Sequence, residues 1–227
     1  MTRISRERRR IEYLDIGAGL VAAAAGVSDP GLALAHVKVT EVAEQAGVTK
    51  GALYHLWPSQ EAFWHDLLEY LIENDQLFGP DRLAAIGEEV AAASGAPPTL
   101  RRYANALFDS LRADPSFFTR VSLASYLHDE AVRAALDHSF RASVERLIPL
   151  LEASIDSMDR RLIPGATVWD FAVAIASLLE GLCLQFRISA DRTPDLPLPD
   201  GARWTLFAAA AEALLMGYTE PVDGEVT

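Results

Sequence analysis

VTEVAEQAGVTKGALYHL, residues 39–56, is the segment from which the rest of the chain can be understood. Val42, Ala46, Val48, Leu53 and Leu56 are apolar at spacings that close a small core between two short helices, about 40–46 and 50–56. Ala43 is small where those helices would cross. Gly47 lies between them, where a tight turn needs a residue tolerant of positive φ. Thr40 and Thr49 each precede a helix, as capping residues do. Several positions therefore agree on one supersecondary unit, a helix-turn-helix.

In such a unit the second helix enters the DNA major groove, led by its N-terminal residues. Gly51 and Ala52 occupy that leading turn, where a large side chain would hold the backbone away from the bases. Lys50 can reach a phosphate or a guanine edge, and Tyr54 and His55 follow on the same helix. Plainer readings exist for each residue. Thr40 and Thr49 can be caps alone, Tyr54 half-buried packing, His55 and Lys50 surface residues. Trp57 reads as core.

Outward from this segment the pattern is helical. A first helix is expected from about Ser5 to Ala25, with apolar residues at Ile11, Leu14, Ala18, Val21 and Ala25 and Gly26 as its stop. Gly17 and Gly19 inside it each cost about 1 kcal/mol relative to Ala; they either permit close packing or merely weaken the helix. Residues 27–38 form a loop opening on an Asp-Pro-Gly turn. Ser59 and Glu61 suit the start of a helix that runs to about Gln76 with an apolar face of Phe63, Leu67 and Leu71. Further helices are expected at 81–93, 99–113, 115–127, 130–156, 166–189 and 202–217, with Pro149 kinking or breaking the longest. Gly95–Pro98 and the Pro-rich 192–201 separate elements, and no strand pair is evident.

Composition narrows the class. The 227 residues carry a net charge of −12, but unevenly: residues 1–60 hold 7 Lys and Arg against 6 acids, and the remainder 13 against 26. TRISRERRR (2–10) alone has five arginines and one glutamate. A basic arm on an acidic body fits a DNA-binding end, and equally a solvated N-terminus. The single cysteine, Cys183, excludes an intrachain disulfide and points to a reducing, cytoplasmic setting. Acids among the N-terminal arginines argue against a secretory signal, and Asp170 and Glu180 interrupt the apolar stretch 168–186, so no membrane span is expected. No metal is expected, because no histidines pair at ligand spacing. No cofactor fingerprint, nucleophile elbow or P-loop is present, which speaks against an enzyme.

Residues 10–72 resemble the DNA-binding domain of TetR-family transcriptional regulators, through LDIGAGLVAAAAG, TEVAEQAGVTKGALYHLW and SQEAFWHDLLEYL in that order. The resemblance implies an all-α fold: an N-terminal three-helix helix-turn-helix domain over 1–57, then a larger helical domain over 58–227 for effector binding and dimerisation, entered by a connecting helix at 58–76. It implies that Thr40 and Tyr54 contact phosphates and that Thr49, Lys50, Gly51, Ala52 and His55 face the groove. The family commonly has lysine after the serine that opens the fourth helix; Gln60 here weakens one phosphate contact. The loop 27–38 is longer than usual. Lys38 and the arginine arm can compensate.

The body is expected to dimerise through 166–189 and 202–217, whose wide apolar faces suit a four-helix bundle with a second copy. Burial within one subunit is the plainer reading. The resemblance also implies a cavity for a small-molecule effector, for which Tyr103, Phe108, Phe118, Tyr126 and His138 are candidates. The function so implied is a ligand-responsive repressor that binds a palindromic operator as a homodimer and is released by its effector. The alternatives are a helix-turn-helix interaction module that senses no ligand and, more remotely, an all-helical enzyme.

Overall fold

The computed structural model describes residues 5–27, 37–74, 79–94, 100–114, 117, 121, 123–189, 194–196 and 204–222, with the side chains of 25–27, 80, 89 and 91–94 excepted. Of the helix expected at 115–127, only 117, 121 and 123–127 are described, with a 3-10 turn at 124–126; most of the loop 27–38, Gly95–Pro98 and most of 192–201 lie outside the described residues. Two compact units emerge: Met1–Asp75 with Pro115–Ser139, and Gln76–Asp114 with Phe140–Thr227.

The first unit is built on α1 (Arg6–Val27), α2 (Val39–Gln45), α3 (Lys50–Tyr54) and α4 (Gln60–Glu73). The hydroxyl of Ser5 accepts from Arg8 N at 3.2 Å and opens α1, satisfying one of the amides that a helix start leaves without a partner. Gly26 does not stop α1, which continues to Val27; a glycine inside a helix costs about 1 kcal/mol and does not by itself end one. The buried face of α1 is Tyr13, Leu14, Gly17 and Val21, while Ile11, expected on that face, is 43% exposed. The expected contrast between the two glycines is resolved by packing. A Cβ on Gly17 would stand 3.1 Å from Leu67 and Phe63 of α4, whereas one on Gly19 would meet nothing within 4 Å. Gly17 lets α1 lie close on α4, and Gly19 only weakens the helix.

Ser59 caps α4 as expected, accepting from Ala62 N at 3.0 Å. The stripe that α4 buries is Phe63, Leu67, Leu68 and Ile72. Leu123, after which the chain makes a 3-10 turn (Ala124–Tyr126), and Val132 join the same core. α7 (Glu130–Asp156) gives residues 130–139 to this unit and 140–156 to the other. Pro149 does not break it, the helix continuing to Asp156. Pro149 and Glu145, whose carbonyl loses its donor, both lie on the exposed face, where water can take that bond, while Val144, Leu147, Leu151 and Ile155 hold the opposite face in the core.

The second unit comprises α5 (Pro80–Ser94), α6 (Leu100–Ala113), the remainder of α7, α8 (Val168–Ile188) and α9 (Leu206–Tyr218). Thr167 caps α8 with a reciprocal pair: its hydroxyl accepts from Asp170 N at 3.1 Å, and Asp170 accepts from Thr167 N at 3.2 Å. Thr205 caps α9, accepting from Ala208 N, and donates its own hydroxyl to Asn105 of α6 at 2.9 Å. The centre of the unit is aromatic: Phe108 stacks on Phe207 at 6.0 Å and meets Phe186 edge-on at 5.9 Å.

Two short antiparallel pairs contradict the absence of strands expected from sequence: β1 (Arg160–Leu162) with β4 (Thr219–Pro221), and β2 (Asp195–Leu196) with β3 (Trp204–Thr205). Runs of two or three residues are too short to show alternation. The β1–β4 pair is held by Arg160, which donates to the Thr219 hydroxyl at 2.7 Å and carbonyl at 2.8 Å. By length and composition α8 could cross a membrane, but Phe171, Ala172, Ile175, Ala176, Leu179 and Cys183 are buried inside the second unit.

Candidate nucleic-acid interface

The turn between α2 and α3 forms as its sequence demands. Gly47 has φ +66°, its amide donates to Glu44 O at 3.1 Å, and Val48 N donates to Ala43 O at 3.0 Å. An L side chain at Gly47 would carry left-handed strain of about 1–2 kcal/mol. Val42, Ala43 and Leu53 are fully or almost fully buried, with Ala46, Val48 and Leu56 packed against them, so the expected core between the two helices is present.

Leu53 is the buried residue of α3, which turns the rest of that short helix outward. Lys50, Gly51, Tyr54 and His55 are exposed and Ala52 is partly so. Thr49 is the N-cap, in extended conformation, and its hydroxyl makes no cap bond, which leaves it available for an external acceptor. The helix ends at Tyr54 and His55 is its C-cap, still in right-handed helical conformation with its amide donating to Gly51 O at 3.2 Å. Lys50 lies over the Tyr54 ring, Nζ 5.3 Å from the centroid, a one-turn cation–π pair that presents a cation and a phenol together. Thr40 is not a cap: α2 begins at Val39, Lys38 is its N-cap, and Glu41 accepts from Lys38 N at 3.3 Å. Thr40 occupies the first turn of α2, partly exposed, with Lys38 exposed beside it.

Several side chains hold this surface in place through contacts that the sequence did not show. Gln60 accepts from Val39 N at 2.9 Å and donates to Val37 O at 3.1 Å, and Trp64 donates to the same carbonyl at 2.7 Å. Gln60 therefore ties the entry of α2 to the start of α4. Asp66 accepts from Trp57 Nε1 and from Arg10, whose Nε stands at 2.9 Å. That hydrogen bond raises the pKa of Arg10 above its ordinary value. Trp57, 2% exposed, meets Phe63 edge-on at 5.1 Å and Tyr13 at 6.5 Å, which confirms it as core. Arg6 donates to the His55 carbonyl at 3.4 Å. The first turns of α1 are thus fastened to the segment just after α3. The available signal was an acid, Asp66, beside the buried stripe of α4, with a complementary arginine in α1.

The effector candidates do not gather at one place in either unit. Tyr103 and Phe108 belong to the second unit, Tyr126 and His138 to the first, and Phe118 lies outside the described residues. Phe108 is fully buried among aromatic rings. Tyr103 is partly buried, and its hydroxyl lies 3.4 Å from where a Cβ on Gly87 would stand. Tyr126 stacks on His128 at 6.4 Å, and His138 is exposed.

Residues 33–67 match the family described as bacterial regulatory proteins, tetR family. The match is confined to this segment of the 227-residue chain. The matched residues span the α2–turn–α3 unit and the first half of α4, the part whose geometry was just described. No curated protein matches the chain in sequence. Solved structures share its fold. A putative TetR-family transcriptional regulator from Rhodococcus sp. is 19% identical with a TM-score of 0.52, covering 92% of this chain and 95% of its own. The reduced form of NemR from E. coli is 18% identical with a TM-score of 0.54, at 95% and 98% coverage. FadR from Bacillus subtilis, in complex with stearoyl-CoA, is 14% identical with a TM-score of 0.51, at 90% and 95% coverage. What the chain shares with these structures is the fold, an N-terminal helix-turn-helix followed by a larger helical part.

Proposed function

We propose that the protein is a ligand-responsive repressor that binds a palindromic operator as a homodimer and leaves it when a small molecule binds the helical body. One observation carries the reading: α3 buries Leu53 and turns Lys50, Gly51 and Tyr54 outward, with a Thr49 hydroxyl that makes no cap bond. Lys50 and Thr49 then meet phosphate or base edges, Gly51 and Ala52 admit the backbone to the groove, and Lys38, Thr40, Tyr54 and His55 contact the flanking backbone. The reading domain on this proposal is 1–57, with 58–227 as the effector and dimerisation part.

Dimerisation is supported by apolar surface that one chain leaves open. Only a third of the most apolar window of α8 is buried, and Ile188 of α8 with Leu206 and Met216 of α9 are 67%, 39% and 42% exposed. Such area suits a self-complementary interface that fixes half-sites about 34 Å apart. Effector response is supported by the fold, since the similarly folded FadR is described with stearoyl-CoA. Tyr103 keeps a hydroxyl that a ligand within the second unit could engage, while the Phe108 ring is committed to core. For release to follow, the effector must bind the DNA-incompetent state more tightly.

The test is selection of DNA from a randomised pool by the full chain, with light scattering in solution. An enriched inverted repeat and a dimeric mass are expected. A monomer at every concentration, or a pool without enrichment, would refute the proposal.

A further inference from the structure

We propose that His65, Asp66 and Glu69 on α4 form a binding site for one divalent transition-metal ion, of the kind that accepts imidazole and carboxylate together. The histidine nitrogen and the two carboxylates offer ligand atoms that all lie within 4.8 Å of one another. That spacing needs only small rotations of exposed His65 and Glu69 to bring three donors round one ion. His65 and Glu69 are four residues apart and share a helix face.

The state of Asp66 is a separate observation that favours an ion. Its bonds to Arg10 Nε, Arg10 Nη2 and Trp57 Nε1 all fall on Oδ2. None of them uses Oδ1. The carboxylate is thus oriented from behind by two residues, the way outer residues orient a ligating carboxylate, and it can ligate through Oδ1 without giving up any of these contacts. Arg10 offsets the charge of Asp66, so the site offers one uncompensated carboxylate and one imidazole nitrogen. That balance suits a borderline-soft ion of the zinc or cobalt type rather than calcium or magnesium, which take oxygen ligands. A void of about 10 Å³ lies beside His65 and Glu69, bounded by Leu68, Ile72, Ala131 and Val132, with room for one water-sized ligand on the ion.

Histidine spacing in the sequence does not reveal this site, because it pairs one histidine with two carboxylates instead of a second histidine. Its existence does not depend on the DNA-reading proposal. The test is titration of the full chain with Co²⁺, followed by visible absorbance and calorimetry, for the native protein and for His65→Ala and Glu69→Gln. Both substitutions fall on exposed positions, and circular dichroism checks that each variant is folded. Saturation at one ion per chain is expected, with each variant about tenfold or more weaker. Absence of saturable binding to the native chain, or variants that bind as the native chain does, would overturn the site.

Discussion

Replacing Gly51 with alanine separates what the fold needs from what a DNA reader needs. A Cβ built on Gly51 meets only the Thr49 hydroxyl, at 3.9 Å, an ordinary contact, and the residue is exposed. Its φ lies outside the left-handed region, so alanine introduces no strain. Alanine is favoured over glycine by about 0.8–1.0 kcal/mol in a helix interior, and by part of that in a first turn. The variant should be as stable as the native chain or more so, with a melting temperature raised by up to about 2–4 °C. If α3 enters the groove with Gly51 against the bases, the added methyl takes space the DNA must occupy. Affinity for a selected site should then fall by about tenfold or more, roughly 1.4 kcal/mol. Thermal unfolding and fluorescence anisotropy read the two quantities on one sample. A lowered melting temperature would show that the fold itself requires the glycine. Unchanged affinity with unchanged or raised stability would show that the helix does not approach DNA at this residue.

Other outcomes follow from the same packing and charge arguments. Gly19→Ala should stabilise the chain by about 1 kcal/mol, and Gly17→Ala should gain less or lose, because its Cβ falls 3.1 Å from Leu67 and Phe63; equal effects in chemical unfolding would refute the α1–α4 packing. Tyr70 donates to Asp15, and that bond, with some burial, lifts the phenol to about 12 from 10.0. The folded pKa is the higher one, so the stabilisation is complete below pH 10.0 and is lost as pH rises towards about 12. Tyr70→Phe should remove that alkaline loss, and tyrosinate absorbance should show Tyr70 ionising after an ordinary tyrosine; its ionisation near pH 10 would contradict the bond. Cys183 is fully buried, and desolvation pushes its thiol to about 12. A thiol reagent at neutral pH should therefore label the chain only on unfolding. Rapid labelling of the native protein would count against this packing.

The sequence carried the fold wherever local chemistry and burial agree. Gly47 in its turn, Ser59 as a cap and the limits of α7 could all be read directly, because each depends on neighbours within a turn or two. Readings failed where a distant partner decides. Gln60 looked like a missing phosphate contact, yet its amide bonds Val37 and Val39, more than twenty residues away in sequence. Gly17 and Gly19 look alike in a helix, and only the position of α4 tells them apart. The same holds for Asp66, whose role depends on Arg10 in another helix, and for β1, which pairs with residues near the end of the chain. Thr40 missed by two positions at the start of α2, where a cap and a first-turn residue look the same in sequence. The effector candidates were the least legible, since aromatic residues at helical spacing are core more often than cavity, as Phe108 shows.

The most direct measurement is binding of the full chain to the DNA upstream of its own coding sequence across a salt series, beside a Lys50→Ala, Tyr54→Ala double variant. If α3 reads DNA, the native chain should bind tightly, with an affinity that falls steeply as salt rises. The double variant should lose most of that affinity, and its salt slope should be shallower by about one phosphate contact for the lysine. Equal binding by both proteins, or no preference over random DNA at any salt, would contradict the assignment of α3 as the reading helix.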